Sequence, residues 1–300
     1  MKRRFATLDV FTESRFAGNP LAVVLEPQGL DTAAMQTIAR EFNLSETVFV
    51  FPPDESSPSS RARLRIFTPA NELPFAGHPT VGTAVLLGLL DGGGERSFIL
   101  DEKIGPVPCR VTSSGPGRGR ASFDIPRLPA KEAELPDTAA MAKALGLSSG
   151  DLGLGELTAA RWSAGNPFSF VPVRSLDAMR RCMVDLATFD GAFGGGGRAA
   201  AFLFCRETQD AGNDFHARMF APAFGILEDP ATGSAVAAFA GYLAATGAYK
   251  DGTHVVRIEQ GYEMGRASLL ELTIHISAGQ LTGASIAGDA VVVMEGTIDA

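Results

Sequence analysis

The chain is short of what nucleic-acid and membrane proteins depend on. Its 26 Lys and Arg are outnumbered by 34 Asp and Glu, leaving a formal net charge of -8, and its basic cluster is the brief start Lys2, Arg3, Arg4. No field exists to attract a phosphate backbone, so nucleic acid is not an expected partner. Long hydrophobic runs are missing too. The most apolar windows, 81–90 and 235–245, are too short to cross a bilayer. The basic start is followed by Phe5, Ala6, Thr7, Leu8 and then Asp9, so the apolar centre of a signal peptide never develops. A soluble cytoplasmic protein with no membrane partner is expected.

Cysteine is scarce. Cys109, Cys182 and Cys205 are odd in number and far apart, with no Cys-x-x-Cys and no His at ligand spacing. They read as buried thiols in a reducing compartment, and no metal site is expected. The chain also lacks Gly-x-x-x-x-Gly-Lys and His-Glu-x-x-His, and its Gly-rich stretches are not placed between a strand and a helix as a dinucleotide fingerprint requires. The expected chemistry is free of cofactors.

What is present is a globular composition, 45% apolar and 20% charged, over 300 residues, about twice one domain. It carries an internal repeat. Ala17-Gly18-Asn19-Pro20 is matched by Ala164-Gly165-Asn166-Pro167. Arg65-Ile66-Phe67-Thr68-Pro69-Ala70 is matched by Arg218-Met219-Phe220-Ala221-Pro222-Ala223. His78-Pro79-Thr80-Val81-Gly82-Thr83-Ala84 is matched by Asp229-Pro230-Ala231-Thr232-Gly233-Ser234-Ala235. Order and approximate spacing agree, so two duplicated domains are expected, residues 1–125 and 126–300, linked somewhere between 113 and 136, where Gly115-Pro116-Gly117-Arg118-Gly119 breaks regular structure.

Each half leads from a strand into a helix. Arginines at 61, 63 and 65 alternate with Ala62, Leu64 and Ile66, the period of a half-buried strand. Pro79 and Pro230 suit the first helical position, which predicts helices to about Leu90 and Ala245 with no charged residue in either. A helix without a polar face has to be covered on all sides. Two similar halves are therefore expected, each with a central helix wrapped by its strands. A peripheral amphipathic helix is expected over 31–42, capped by Asp31. The run 194–197 reads as a glycine loop.

Two buried helix N-termini offer free N–H groups and positive dipole ends, an arrangement that binds anions. If both face one cleft, they can hold a small carboxylate substrate, with Gly77, Gly82, Gly233 and Ser234 allowing close approach of the backbone. The repeat is unequal at His78 and Asp229. Asp229 reads equally as an N-cap, and His78 as a structural residue or as a neutral hydrogen-bonding group at a helix start. Glu228 adds a like charge beside Asp229 that would raise one of their pKa values. Glu46, in Asn43-Leu44-Ser45-Glu46-Thr47, reads either as part of a capping box with Asn43 or as an enclosed general base at the mouth of a strand.

Together these motifs resemble the phenazine biosynthesis PhzF-like proteins, which share the diaminopimelate epimerase fold. The resemblance runs from Asp9-Val10-Phe11-Thr12 and Gly18-Asn19-Pro20, through Asn43-Leu44-Ser45-Glu46-Thr47 and Phe75-Ala76-Gly77-His78-Pro79-Thr80-Val81-Gly82, to Glu228-Asp229-Pro230-Ala231-Thr232-Gly233-Ser234-Ala235 and Gln260-Gly261-Tyr262-Glu263-Met264-Gly265-Arg266. It implies the fold class α+β, two similar domains, each a β-barrel-like sheet wrapped around a central helix, with a site between the halves, a frequent homodimer and, as the best understood activity, isomerisation of trans-2,3-dihydro-3-hydroxyanthranilate. It makes Glu46 the proton shuttle and puts Ser45, His78, Asp229 and Ser234 around the substrate, with Gly77 and Gly233 lending backbone donors. Epimerase relatives use a cysteine at each helix start; this chain has none there. Isomerisation of another small amino or hydroxy acid, or metabolite binding without catalysis, are the alternatives.

Overall fold

In the computed structural model, which describes residues 1–55, 57–195 and 199–300, the chain divides into two compact units, Met1–Pro126 with Ile286–Ala300, and Arg127–Ser285. The first unit holds β1 (Lys2–Val10), β2 (Asn19–Leu25), α1 (Thr32–Phe42), β3 (Glu46–Phe51), β4 (Ala62–Phe67), β5 (Glu72–Leu73), α2 (Gly77–Leu90), β6 (Glu95–Glu102), β7 (Gly105–Gly115) and β8 (Arg118–Asp124). The second holds β9 (Ala130–Glu134), α3 (Thr138–Ala144), β10 (Ala160–Ser163), β11 (Pro167–Pro172), α4 (Leu176–Arg181), α5 (Phe189–Phe193), β12 (Ala201–Cys205), β13 (Phe215–Ala221), β14 (Ile226–Asp229), α6 (Gly233–Ala245), β15 (Gly252–Gln260) and β16 (Ser268–Ser277). The last strand, β17 (Gln280–Asp299), runs from the second unit into the first.

In the first unit β17, β1 and β2 pair antiparallel, β2 and β3 parallel, β3 and β4 antiparallel, β4 and β6 parallel, and β6, β7 and β8 antiparallel. β8 then pairs with β17 and closes the barrel, where the Val292 N–H donates to the Gly117 carbonyl at 2.8 Å. Strand period sets the inward face: Val107, Cys109 and Val111 of β7 are buried while Pro106, Pro108 and Arg110 between them are exposed. α2 fills the barrel, buried at every residue from Gly77 to Gly88 and packed on β1, β2, β3, β6, β7 and β8. Gly82 sets how closely, since a Cβ there would lie 2.6 Å from Val10 and 2.7 Å from Leu21. α1 covers the outside, with Asp31 capping it by accepting from the Ala34 N–H at 2.8 Å and with Met35 and Ala39 buried.

The second unit runs through the same succession. β9, β10 and β11 are antiparallel, β11 and β12 parallel, β12 and β13 antiparallel, β13 and β15 parallel, and β15 and β16 antiparallel. α6 packs on β9, β10, β11 and β16, and Ser234 is its one half-buried residue between Gly233 and Leu243, all others being buried. Gly241 lies against Trp162, where a Cβ would come within 2.7 Å.

Three expectations need correction. The second domain does not run to residue 300, because 290–299 pair with β1 from Ala290 opposite Val10 to Asp299 opposite Lys2. Without that strand β1 and β8 would present unpaired backbone edges. The stretch Gly115-Pro116-Gly117-Arg118-Gly119 is no linker but the turn of the β7–β8 hairpin, with Gly115 opposite Arg118 and Gly117 in the left-handed region at φ 67°. Pro79 and Pro230 do not open their helices: α2 starts two residues before Pro79 and α6 three residues after Pro230. A third helical position tolerates Pro because its N–H would have no intrahelical acceptor. Of the run 194–197, Gly194 caps α5, and residues 196 and 197 lie outside the described residues. Among the described residues no helix is long and apolar enough to cross a membrane.

Candidate active site

Glu46 opens β3. Asn43, left-handed at φ 50°, terminates α1 with its N–H on the Ala39 carbonyl. The β-branched and aromatic run Thr47-Val48-Phe49-Val50-Phe51 then extends between β2 and β4. The capping-box alternative is thereby removed: Glu46 is a strand residue, opposite Leu21 of β2, and only 8% exposed. Ser45, half-buried, precedes it.

His78 is the second residue of α2 and is 4% exposed. Burial drives its pKa down to about 3, against a smaller opposing effect of a hydrogen bond to the Pro20 backbone. It is a neutral imidazole at physiological pH. Pro20 offers only a carbonyl, so one ring N–H points there, and the other nitrogen, Nε2, lies 3.2 Å from Oε2 of Glu46. The approach has hydrogen-bond length without hydrogen-bond angles. With the proton on Nδ1, the Nε2 lone pair faces the carboxyl group. Gly77, the residue before it, begins the helix, a position whose backbone N–H has no intrahelical acceptor.

In the second unit Asp229 ends β14 opposite Met219 and is 5% exposed. Its Oδ2 accepts from the Thr232 hydroxyl at 2.5 Å. Thr232, not Asp229, is the N-cap residue of α6, followed by Gly233 and Ser234 as the first two helical residues. The equivalence of His78 with Asp229 is therefore corrected. Counted from the helix starts, Gly77 matches Gly233 and His78 matches Ser234. The like charge expected from Glu228 is also absent as a free charge, since Arg218 grips that carboxylate with Nε at 2.8 Å and a second nitrogen at 2.9 Å. The first unit repeats the clamp, with Arg65 on Glu72 at 2.8 and 2.9 Å.

Glu46 has no counterpart carboxylate. Ala22 pairs with Thr47 across β2–β3, and Ser169 with Ala201 across β11–β12. Matching Gly18-Asn19-Pro20 to Gly165-Asn166-Pro167 makes Ala22 equivalent to Ser169, so the position of Glu46 is occupied by Ala200 in the second unit. The cysteines are not at the helix starts either: all three are buried, and desolvation holds their thiols far above the ordinary range. Sequence reasoning missed Thr232, whose place just before Gly233 marks it as a cap residue once the helix start is moved.

The first unit thus holds a buried Glu46 beside a buried His78 in a closed barrel around a helix, residue types able to take up and return a proton. The chain belongs to the phenazine biosynthesis-like protein family: the PhzC-PhzF family model matches residues 8–296. It is 47% identical over 305 residues to an uncharacterized isomerase of Mesorhizobium japonicum, covering 99% of this chain and 98% of the relative. It is 36% identical over 301 residues to the trans-2,3-dihydro-3-hydroxyanthranilate isomerase of Pseudomonas fluorescens, covering 98% of each. Its structure is similar to a crystal structure of the Bacillus anthracis phenazine biosynthesis protein of the PhzF family, with a TM-score of 0.89, 28% identity and complete coverage of both chains.

Proposed function

We propose that the protein is a cofactor-independent isomerase that moves a proton between two carbons of a small cyclic amino or hydroxy carboxylate, similar to trans-2,3-dihydro-3-hydroxyanthranilate, the compound whose isomerase its Pseudomonas relatives are named as. The observation that carries this reading is the buried pair of Glu46 and neutral His78, 3.2 Å apart. Glu46 as carboxylate takes a carbon-bound proton. The Nε2 lone pair of His78 then accepts the hydrogen bond of the resulting acid and holds it oriented until the proton is returned at the second carbon. General acid–base work of this kind is worth roughly 10² to 10⁴ in rate. The absence of a carboxylate at Ala200 supports a single shuttle over a two-base racemase.

In this proposal Gly77 and Gly233, at the starts of α2 and α6, are the anion-binding backbone donors of their units, and Ser45, Asp229 and Ser234 are substrate-orienting residues. A homodimer in the cytoplasm is the assembly and compartment we propose with it. The Mesorhizobium relative is named only as an isomerase, which favours a second reading in which the same site serves another small amino or hydroxy acid. The test is to incubate the protein with trans-2,3-dihydro-3-hydroxyanthranilate and a panel of such acids, following conversion and the entry of solvent deuterium into carbon. Conversion of the first compound is expected. Exchange into a different acid alone would select the second reading, and tight binding with no exchange anywhere would refute catalysis.

A further inference from the structure

The last residue of the strand that follows each central helix is polar and buried, Glu102 in the first unit and Gln260 in the second. In the first unit β4 pairs with β6 at Ala62 opposite Leu100 and Arg63 opposite Asp101. In the second β13 pairs with β15 at Phe215 opposite Ile258, His216 opposite Glu259 and Ala217 opposite Gln260. The Arg65–Glu72 and Arg218–Glu228 clamps align β4 with β13, so Ala62 matches Phe215. It follows that Leu100 matches Ile258, Asp101 matches Glu259, and Glu102 matches Gln260. Glu102 is 7% exposed and Gln260 is fully buried.

Both side chains end at a helix start. Gln260 donates to the Asp229 carbonyl at 2.7 Å and to the Thr232 hydroxyl at 3.1 Å, and its own carbonyl oxygen accepts from the Thr232 N–H at 3.2 Å. It ties the last residue of β14 to the cap of α6. Glu102 has Oε1 2.7 Å from the Thr80 hydroxyl, which also lies 2.8 Å from the carbonyl of Ala76, the N-cap residue of α2. A hydroxyl donates once. The Thr80 hydroxyl donates either to Glu102 Oε1 or to the Ala76 carbonyl, which the Thr80 N–H also reaches at 3.2 Å, so at most this one hydroxyl proton is offered to the Glu102 carboxyl group there. A buried carboxyl group so poorly supplied with donors favours its uncharged acid form. Its second oxygen is buried without a hydrogen-bond partner, which an acid's carbonyl tolerates far better than a carboxylate would. Burial, opposed by the Thr80 hydrogen bond, raises its pKa to about 8.

We infer that Glu102 and Gln260 are equivalent positioning residues, one per unit, which as neutral hydrogen-bonding groups hold the first turns of α2 and α6 in place for His78 and for Asp229 with Ser234. The inference rests on the proposed reaction only for its catalytic consequence. It accounts for one unit using an acid where the other uses an amide: both are uncharged, planar and able to donate.

The test is backbone hydrogen exchange, resolved to residues 77–83 and 233–239, for the full chain and for Glu102→Gln, Glu102→Leu, Thr80→Val and Gln260→Leu, alongside kcat/KM for trans-2,3-dihydro-3-hydroxyanthranilate. Exchange over 77–83 is expected to rise about tenfold in Glu102→Leu and Thr80→Val, the scale of one lost buried hydrogen bond, with 233–239 unchanged. Gln260→Leu is expected to do the reverse, and Glu102→Gln to keep native exchange and kcat/KM within about threefold. If Glu102→Leu fails to fold, Thr80→Val decides. Native exchange over 77–83 in Thr80→Val, or a Glu102→Gln protein as impaired as Glu102→Leu, would overturn the inference. The exchange readout needs no substrate, so failure of the isomerase reading alone would leave it intact.

Discussion

His78 and Glu102 are buried on one helix and its supporting strand, and both are uncharged for the same reason, desolvation. Their effects on stability have opposite signs. His78 is neutral in the folded chain down to about 3, below its ordinary 6.5. Its contribution is complete above pH 6.5 and is lost as the pH falls toward 3, because the unfolded chain takes up a proton that the folded one refuses. Glu102 keeps its proton up to about 8, above its ordinary 4.5. Its contribution is complete below pH 4.5 and is lost as the pH rises toward 8. Between 4.5 and 6.5 the two slopes cancel, and above 6.5 only that of Glu102 remains, at no more than about 1.4 kcal/mol per pH unit. Urea unfolding of native protein and Glu102→Gln between pH 6.5 and 8 is expected to show a shallower decline for the variant. Identical slopes would mean that Glu102 is already ionised in the folded chain.

At the scale of elements, the central helices depend on close approach. A Cβ on Gly82 would enter Val10 and Leu21 side chains on β1 and β2, so Gly82→Ala is expected to cost about 1–3 kcal/mol by overpacking, read as a lower urea midpoint with the slope retained. An unchanged midpoint would mean that the barrel wall yields freely. These helices were legible in sequence because they lack charge, and their ends at Leu90 and Ala245 were read correctly. Their starts were not. Proline was taken as an opening signal, whereas Pro79 sits inside the first turn and Pro230 in the turn before α6, and this paired His78 with Asp229 instead of Ser234. Glu46 and His78 were both named from sequence, and they are together at 3.2 Å. Gln260 lies within a family motif but was given no role, and Glu102 was not singled out, since a polar residue at a strand end looks like a solvent-facing one until strand register shows where it points.

At the scale of the whole molecule, the first barrel is made from both ends of the chain. Arg3 donates to the Ala300 carbonyl at 3.3 Å, and β17 supplies the wall between β1 and β8. No local pattern announces such a pairing, because it joins residues almost the full length of the chain apart, and a sequence repeat invites the simpler division into consecutive halves. Removal of residues 286–300 is expected to open the first barrel and leave a chain that lacks cooperative unfolding. Retention of a single sharp transition would show that the barrel closes without β17.

The most direct measurement of the central claim compares native protein with Glu46→Gln in the isomerisation of trans-2,3-dihydro-3-hydroxyanthranilate, with circular dichroism confirming that the variant is folded. A loss of roughly 10² to 10⁴ in kcat is predicted, the share that a positioned acid–base group contributes. Native turnover by the Glu46→Gln protein would contradict the account, because a proton would then be crossing the substrate without the one buried carboxylate that faces His78.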